Sequence, residues 1–168
     1  MRFTRLPTDV MSALREGDLD RGRALAGLPL TEVFVSDRAR WLWGFRLDQL
    51  VTTPSDAAWV ARAVLDASSD EVVGYAGFHG GPDERGMVEI GYTVDPECRR
   101  RGYARGIVTA FLAEAQDAPG VSVVRATISP DNVASLATID GFGFEHRGEQ
   151  IDEIDGVELI FEYDLPAA

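Results

Sequence analysis

The chain has 168 residues, 45% of them hydrophobic and 26% charged, which predicts a single globular domain over residues 1–168. Its 28 acidic residues against 16 basic ones give a net charge of −12, so it is set against nucleic-acid backbones, and every basic residue is an arginine. No stretch approaches the ~20 apolar residues of a membrane span, no apolar leader follows Met1, and one cysteine, Cys98, allows neither a disulfide framework nor a cysteine-based zinc site. A reducing, cytoplasmic setting without a membrane partner is expected.

In chain order, Arg2–Leu6 reads as a short strand, and the run from Thr8-Asp9 to Glu16 as a helix capped at its start. Leu19–Ala26 and Asp37–Leu47 read as further helices, the second capped by Asp37, with Trp41, Leu42 and Phe45 on one face. Thr52-Thr53-Pro54-Ser55 breaks that run. Trp59–Leu65 is open between helix, on its alanine content, and strand, on its alternation. The turn Asp66–Asp70 and the clear strand Val72–Phe78 behind it favour a hairpin. Gly80-Gly81-Pro82-Asp83 turns the chain into an alternating strand, Met87–Val94, in which Glu89 and Gly91 point one way and Val88 and Ile90 the other. A helix follows from Tyr103 to Gln116, then a β-branched strand, Val121–Ile128, and a short helix, Val133–Asp140, closed by Gly141. Glu145–Ile151 and Glu158–Asp164 form a last hairpin about an Asp155-Gly156 turn. Helices followed by β-β-β-α-β-α-β-β predict a mixed α/β sheet rather than a doubly wound one.

The segment from Val94 to Arg105 carries the chemistry. It sets a turn between a strand and a helix N-terminus, where unpaired backbone N–H groups and the positive end of the helix dipole favour an anion. Gly102 lets backbone approach a ligand closely, and Ala104 keeps the first helical turn small. Arg99, Arg100, Arg101 and Arg105 concentrate positive charge in an acidic chain. A solvated arginine run is the bland alternative. The loop has neither Gly-x-x-x-x-Gly-Lys-Ser/Thr nor Gly-x-Gly-x-x-Gly spacing, which sets aside a nucleoside-triphosphatase loop and a dinucleotide fold.

Arg99-x-x-Gly102-x-Ala104, with Glu89-Ile90-Gly91-Tyr92-Thr93-Val94 before it and Asn132-x-x-Ser135 and Asp140-Gly141-Phe142-Gly143-Phe144 after it, resembles the GCN5-related N-acetyltransferases (GNAT). The order and spacing look most like the RimJ/RimL-type branch over about residues 70–165, and match only loosely before residue 50. The resemblance implies a twisted, mostly antiparallel mixed sheet with flanking helices, whose central strands, Met87–Val94 and Val121–Ile128, splay to admit the pantetheine arm of acetyl-coenzyme A. It implies a pyrophosphate site on the loop Arg99, Arg100, Arg101, Gly102, Tyr103 and Ala104, thioester contacts along Tyr92, Thr93 and Val94, and pantetheine contacts from Asn132 and Ser135. Direct transfer to an amine is implied. The acceptor stays open among a peptide or protein N-terminus, an aminoglycoside and a small metabolite.

Acetyl transfer needs a deprotonated nitrogen, a stabilised oxyanion and a protonated leaving thiolate. Glu89 is the candidate base, directly or through a water; its alternative is a residue on the wetter strand face. The family's tyrosine seven residues beyond the asparagine falls here on Ile139, which donates no proton, and this leaves Ser135 as the proposed acid on the RimJ/RimL resemblance. Ser135 bonded to its own helix is the alternative, with Tyr92 and Tyr103 as substitutes. Asn132 also suits a helix cap. His79 and His146 are too few and too far apart for a metal site and read as ordinary surface or hairpin residues. The arginines after Cys98 are expected to lower its pKa. Trp41, Trp43 and Phe45 read equally as core or as the acceptor wall. A non-catalytic acyl-coenzyme A sensor and an antibiotic-sequestering module remain as alternatives, and the C-terminal hairpin is the candidate surface for a homodimer.

Overall fold

The computed structural model describes residues 1–152, 154 and 156–166. Strands β1 (Arg2–Arg5), β2 (Arg62–Leu65), β3 (Val72–Phe78), β4 (Met87–Val94), β5 (Val123–Ile128), β6 (Glu145–Asp152) and β7 (Gly156–Asp164) form one sheet in the order β1-β2-β3-β4-β5-β7-β6. Helices α1 (Thr8–Glu16), α2 (Leu19–Ala26), α3 (Asp37–Thr52), α4 (Tyr103–Asp117) and α5 (Val133–Ile139) flank it. This is the mixed α/β sheet expected from the element order, mostly antiparallel as the resemblance implied. The last hairpin turns from Asp152 to Gly156, which pair directly; Asp155 of the expected turn lies outside the described residues.

Several boundaries move for local reasons. Ser36, not Asp37, caps α3, its Oγ accepting from the Ala39 amide. The helix then runs past Leu47 to Thr52, because no breaker precedes Pro54. The expected cap at Thr8-Asp9 is absent: Pro7 occupies the N-cap position of α1 without a side-chain bond. Trp59 closes a 3-10 turn over Pro54–Ala58, and Ala61 sits at φ +51°, so the predicted strand Trp59–Leu65 is extended only from Arg62.

Alternation along the strands divides the core in two. Val88 and Ile90 join Val64, Phe78, Val124 and Ala126 beneath Ile107, Val108 and Phe111 of α4. On the other face Ala63, Leu65, Val72 and Tyr75 meet Val10, Leu14 and Trp43 of the amino-terminal helices. Burial of such side chains contributes about 1.5–3 kcal/mol each and dominates the stabilisation. A bulge in β3 lets the pairing pass from Val64↔Gly74 to Leu65↔Val72, and Gly74 adopts φ +149° there.

One ion pair joins the layers. The Arg62 guanidinium, 7% exposed, binds both oxygens of Glu114 on α4 at 2.6 and 2.8 Å, and its carbon lies 5.7 Å from the Phe78 ring. Removing one member of a buried pair strands the other charge. Glu114→Ala is therefore expected to cost about 3–5 kcal/mol in denaturant unfolding; a loss below about 1 kcal/mol would mean that water reaches Arg62.

Candidate active site

The parallel pairing of β4 with β5 runs from Met87↔Val123 to Glu89↔Arg125 and stops. Beyond it β4 continues to Val94 and β5 to Ile128, unpaired with each other, so the two strands separate as the resemblance implied. On its other side β4 stays in register with β3. The His79 amide donates to the Glu89 carbonyl and the Asp95 amide to the Val73 carbonyl. Alternation from these two fixed points turns the amides of Tyr92 and Val94 away from β3 and into the gap. The Val94 carbonyl, on that side, accepts from Arg99 Nε at 3.3 Å.

Two cavities meet at the gap. One, of about 520 Å³, is lined by Tyr92, Thr93, Val94, Arg99, Arg100, Gly102, Tyr103, Ala104, Arg105, Asn132 and Ser135, among others. The other, of about 820 Å³, is walled by α3 with Trp41, Trp43 and Phe45, by the strands with His79 and Glu89, and by the last hairpin with Gln150, Asp152 and Glu158. Tyr92, Thr93, Asn132 and Ser135 line both. All but one of the candidate catalytic and cofactor-binding residues thus line these cavities.

The exception is Arg101. Its guanidinium pairs with Glu71 at 2.9 Å and packs over the Tyr103 ring, away from both cavities. Gly102 has φ +84°, and a Cβ there would meet nothing within 4 Å, so the backbone at the helix start faces open space. Arg105 donates to the carbonyls of Thr138 and Asp140 at 3.0 and 2.9 Å and covers the Phe142 ring, strapping α4 to the end of α5. Asn132 caps α5 as expected, its Oδ1 accepting from the Ser135 amide at 3.1 Å. Ile139 is buried in the core.

The Tyr103 hydroxyl donates to Asp66 Oδ2 at 2.8 Å, so it is already committed. Ser68, through its hydroxyl and its amide, and then Tyr103 hold the Asp66 carboxyl well below the usual carboxylate range. Stabilisation from a depressed carboxyl is full above its unfolded value of about 3.9 and is lost as pH falls through the folded value. Tyr103→Phe is expected to move the Asp66 titration upward in a carboxyl-carbon NMR titration; no movement would leave the shift to Ser68 and Ser69. Cys98 corrects the expectation drawn from its arginine neighbours. Burial first, then the carboxylates of Glu71 and Asp95, push its thiol up.

Glu89 is 16% exposed, and its Oε1 accepts from Thr127 Oγ1 at 2.6 Å. His79 Nδ1 stands 3.3 Å from the same oxygen, so His79 is a member of the cavity wall rather than an ordinary surface residue. Desolvation lowers the imidazole pKa below its usual 6.5, with Arg46 and Arg38 adding to that and Glu89 and Asp152 opposing it. Burial also lowers the Arg46 guanidinium to about 10, so it remains charged near neutrality. Trp43 is fully buried, its Nε1 donating to the Phe34 carbonyl, whereas Trp41 and Phe45 stack on each other half-exposed at the cavity wall. The Tyr92 hydroxyl is buried and has no protein partner.

A strand that leaves its parallel neighbour beside a glycine-led helix start makes a cleft suited to an anionic ligand. The profile described as Acetyltransferase (GNAT) domain matches residues 33–145, so the chain belongs to the GNAT acetyltransferase family. It is 33% identical over 87 residues, 52% of this chain and 50% of the relative, to the uncharacterized N-acetyltransferase YjdG of Bacillus subtilis (strain 168). The chain spans about half the length of the curated relatives it matches. In fold it is similar to the ribosomal-protein-S5-alanine acetyltransferase of Vibrio fischeri, at TM-score 0.65 and 16% identity over 97% of this chain and 92% of that one. It is likewise similar to a chimera of the Vibrio cholerae spermidine N-acetyltransferase SpeG with hSSAT, at TM-score 0.67 and 13% identity over 98% and 95%. Among the described residues no cluster of His, Cys, Asp and Glu suits a metal ion, and no helix is long and apolar enough to cross a membrane.

Proposed function

We propose that the chain is an acetyl-coenzyme A-dependent N-acetyltransferase of the RimJ/RimL-like type that transfers acetyl directly to a primary amine. The observation that carries this reading is the opening between β4 and β5, where an arginine-rimmed cavity joins a larger one bearing a carboxylate. The residues present fit acetyl-coenzyme A on three counts. Open space lies over the Gly102 backbone, the Tyr92 and Val94 amides face the gap, and the Tyr92 hydroxyl lacks a partner.

On this reading Arg99, Arg100 and the amides from Arg101 to Ala104 hold the pyrophosphate, where helix dipole and charge act together. Asn132 and Ser135 hold the pantetheine arm, and the Tyr92 and Val94 amides receive the thioester oxygen. Acetyl-coenzyme A supplies an activated acyl carbon. The amine nitrogen bonds to that carbon as the C–S bond breaks, Glu89 drives removal of the amine proton, and Ser135 protonates the thiolate. The buried, unpartnered Tyr92 hydroxyl lines the same two cavities as Ser135 and is a second candidate donor. The acceptor is a peptide N-terminus, an aminoglycoside or a small metabolite, the work is cytoplasmic and needs no nucleic acid or membrane, and β6, at the sheet edge, offers a surface for a homodimer.

Free-thiol release from acetyl-coenzyme A tests the reading against Ser- and Ala-terminated peptides, aminoglycosides, polyamines and amino-acid amides. Release with one class names the acceptor. Binding of acetyl-coenzyme A by calorimetry without release favours an acyl-coenzyme A sensor, and no binding at all would overturn the cradle.

A further inference from the structure

We infer that His79 Nε2 is the atom that takes the amine proton, with Glu89 as the carboxylate that positions the ring. This rests on the acetyltransferase reading above. Three features of the structure carry it.

The first is place. A Cβ on Gly91 would stand 2.8 Å from His79 Nε2 and 3.4 Å from its Cδ2, so the imidazole lies over the bare backbone of Gly91. Gly91 is two residues past Glu89, where the parallel pairing ends, and one before Tyr92, whose amide enters the gap. Nε2 therefore sits beside the point where the two cavities join. The side chain is 46% exposed and opens into the larger cavity, so an acceptor reaches it without displacing protein.

The second is restraint. The His79 amide donates to the Glu89 carbonyl at 2.7 Å. Its own carbonyl accepts from Arg46 Nη1 at 2.9 Å and from Gln49 Nε2 at 2.7 Å, and Gln49 is held in turn by Asp56 at 2.6 Å. A group fixed through backbone and ring is ordered before the reaction, which is where a proton acceptor gains most.

The third is the division of labour between the two nitrogens. The carboxylate 3.3 Å from Nδ1 favours the proton on that nitrogen and leaves the lone pair on Nε2, which lies over Gly91 in the cavity wall. Glu89 itself is 16% exposed and its Oε1 is already bonded by Thr127, so it is less accessible than the ring in front of it. Around the imidazole stand Glu89 from β4, Arg38 and Arg46 from α3, and Asp152 from β6. Desolvation, Arg46 and Arg38 outweigh Glu89 and Asp152 and lower the imidazole pKa, which favours the neutral, proton-accepting ring. In the reaction an ammonium acceptor passes one proton to Nε2, and the freed lone pair attacks the acyl carbon. The nitrogen's second proton replaces the one that the hydroxyl donor gives to the departing thiolate. The imidazolium, paired with Glu89, then releases its proton to water in the open cavity.

The chain has two histidines, so imidazole ¹⁵N NMR resolves His79 once a His146→Gln variant assigns it. The expected result is an Nδ1–H tautomer at pH 7 with a titration below 6.5 that shifts in Glu89→Gln. An Nε2–H tautomer, or a ring already charged at pH 7, would overturn the proposal. In thiol release, His79→Ala is expected to lower kcat about 10²-fold, to leave acetyl-coenzyme A binding within about twofold, and to regain turnover with added imidazole. Wild-type turnover in His79→Ala would overturn the role of His79 while leaving the acetyltransferase reading intact. Failure of the wild-type protein to bind acetyl-coenzyme A would instead remove that reading, and the proposal with it.

Discussion

Gly74→Ala is expected to unfold the protein rather than to weaken it slightly. The position combines two independent obstacles. Its φ of +149° lies where L side chains are strained, and a Cβ would stand 2.0 Å from the Thr93 carbonyl oxygen and 3.1 Å from Val94 Cα. Both neighbours are backbone of β4, so no rotamer change relieves the clash. Either the β3 bulge must straighten, which turns Val73 out of the core it shares with Ala76, or β3 and β4 must part at the site. A loss of more than about 4 kcal/mol is expected, a large fraction of the roughly 5–15 kcal/mol by which domains are stable. Circular dichroism with denaturant titration measures it. A cooperatively folded variant within about 1 kcal/mol of the parent would show that the bulge relaxes freely.

The second large effect concerns turnover alone. Glu89→Gln keeps the size of the side chain and an oxygen for the Thr127 hydroxyl, but removes the charge facing His79 Nδ1. An imidazole without its carboxylate is a weaker base and is less firmly held in one tautomer. We expect kcat to fall at least about 10²-fold. The anion cradle, built from other residues, should bind acetyl-coenzyme A as before. Thiol release and calorimetry on the same preparation separate the two. Unchanged turnover would take Glu89 out of the chemistry.

Much of this site was legible because it depends on short-range pattern. Period-two alternation put Glu89 and Gly91 on one face of β4 and Val88 and Ile90 on the other, and the core confirms which side is buried. Gly102 and the arginines marked the helix start because the constraint there is local. His79 was not legible in the same way. Its partner Glu89 is reached only through the register of the β3–β4 hairpin, and its carbonyl is held by Arg46 and Gln49 from a helix 30 or more residues upstream. Cys98 misled for a related reason. The arginines beside it are near in sequence, but folding turns Arg101 to Glu71 and brings Glu71, which immediately precedes β3, close to the thiol. Trp59 was misassigned because alternation alone does not reveal the positive φ of Ala61. Charge and periodicity speak for neighbours along the chain, while the electrostatics of a site belong to neighbours in space.

The early end of the β4–β5 pairing bears on mechanics as well as access. One half-sheet, β1 to β4, and the other, β5 to β7, share a ladder only from Met87↔Val123 to Glu89↔Arg125, whereas β5 and β7 are bonded from Val123↔Asp164 to Ile128↔Leu159. The seam thus carries the sheet's shortest ladder, and a molecule threaded along it would supply the missing rungs. Occupancy and cohesion become one quantity, since whatever binds only the joined halves raises the melting temperature in proportion to the logarithm of its concentration. The resistance of this seam to hydrogen exchange would then report how full the site is, before any acceptor is known.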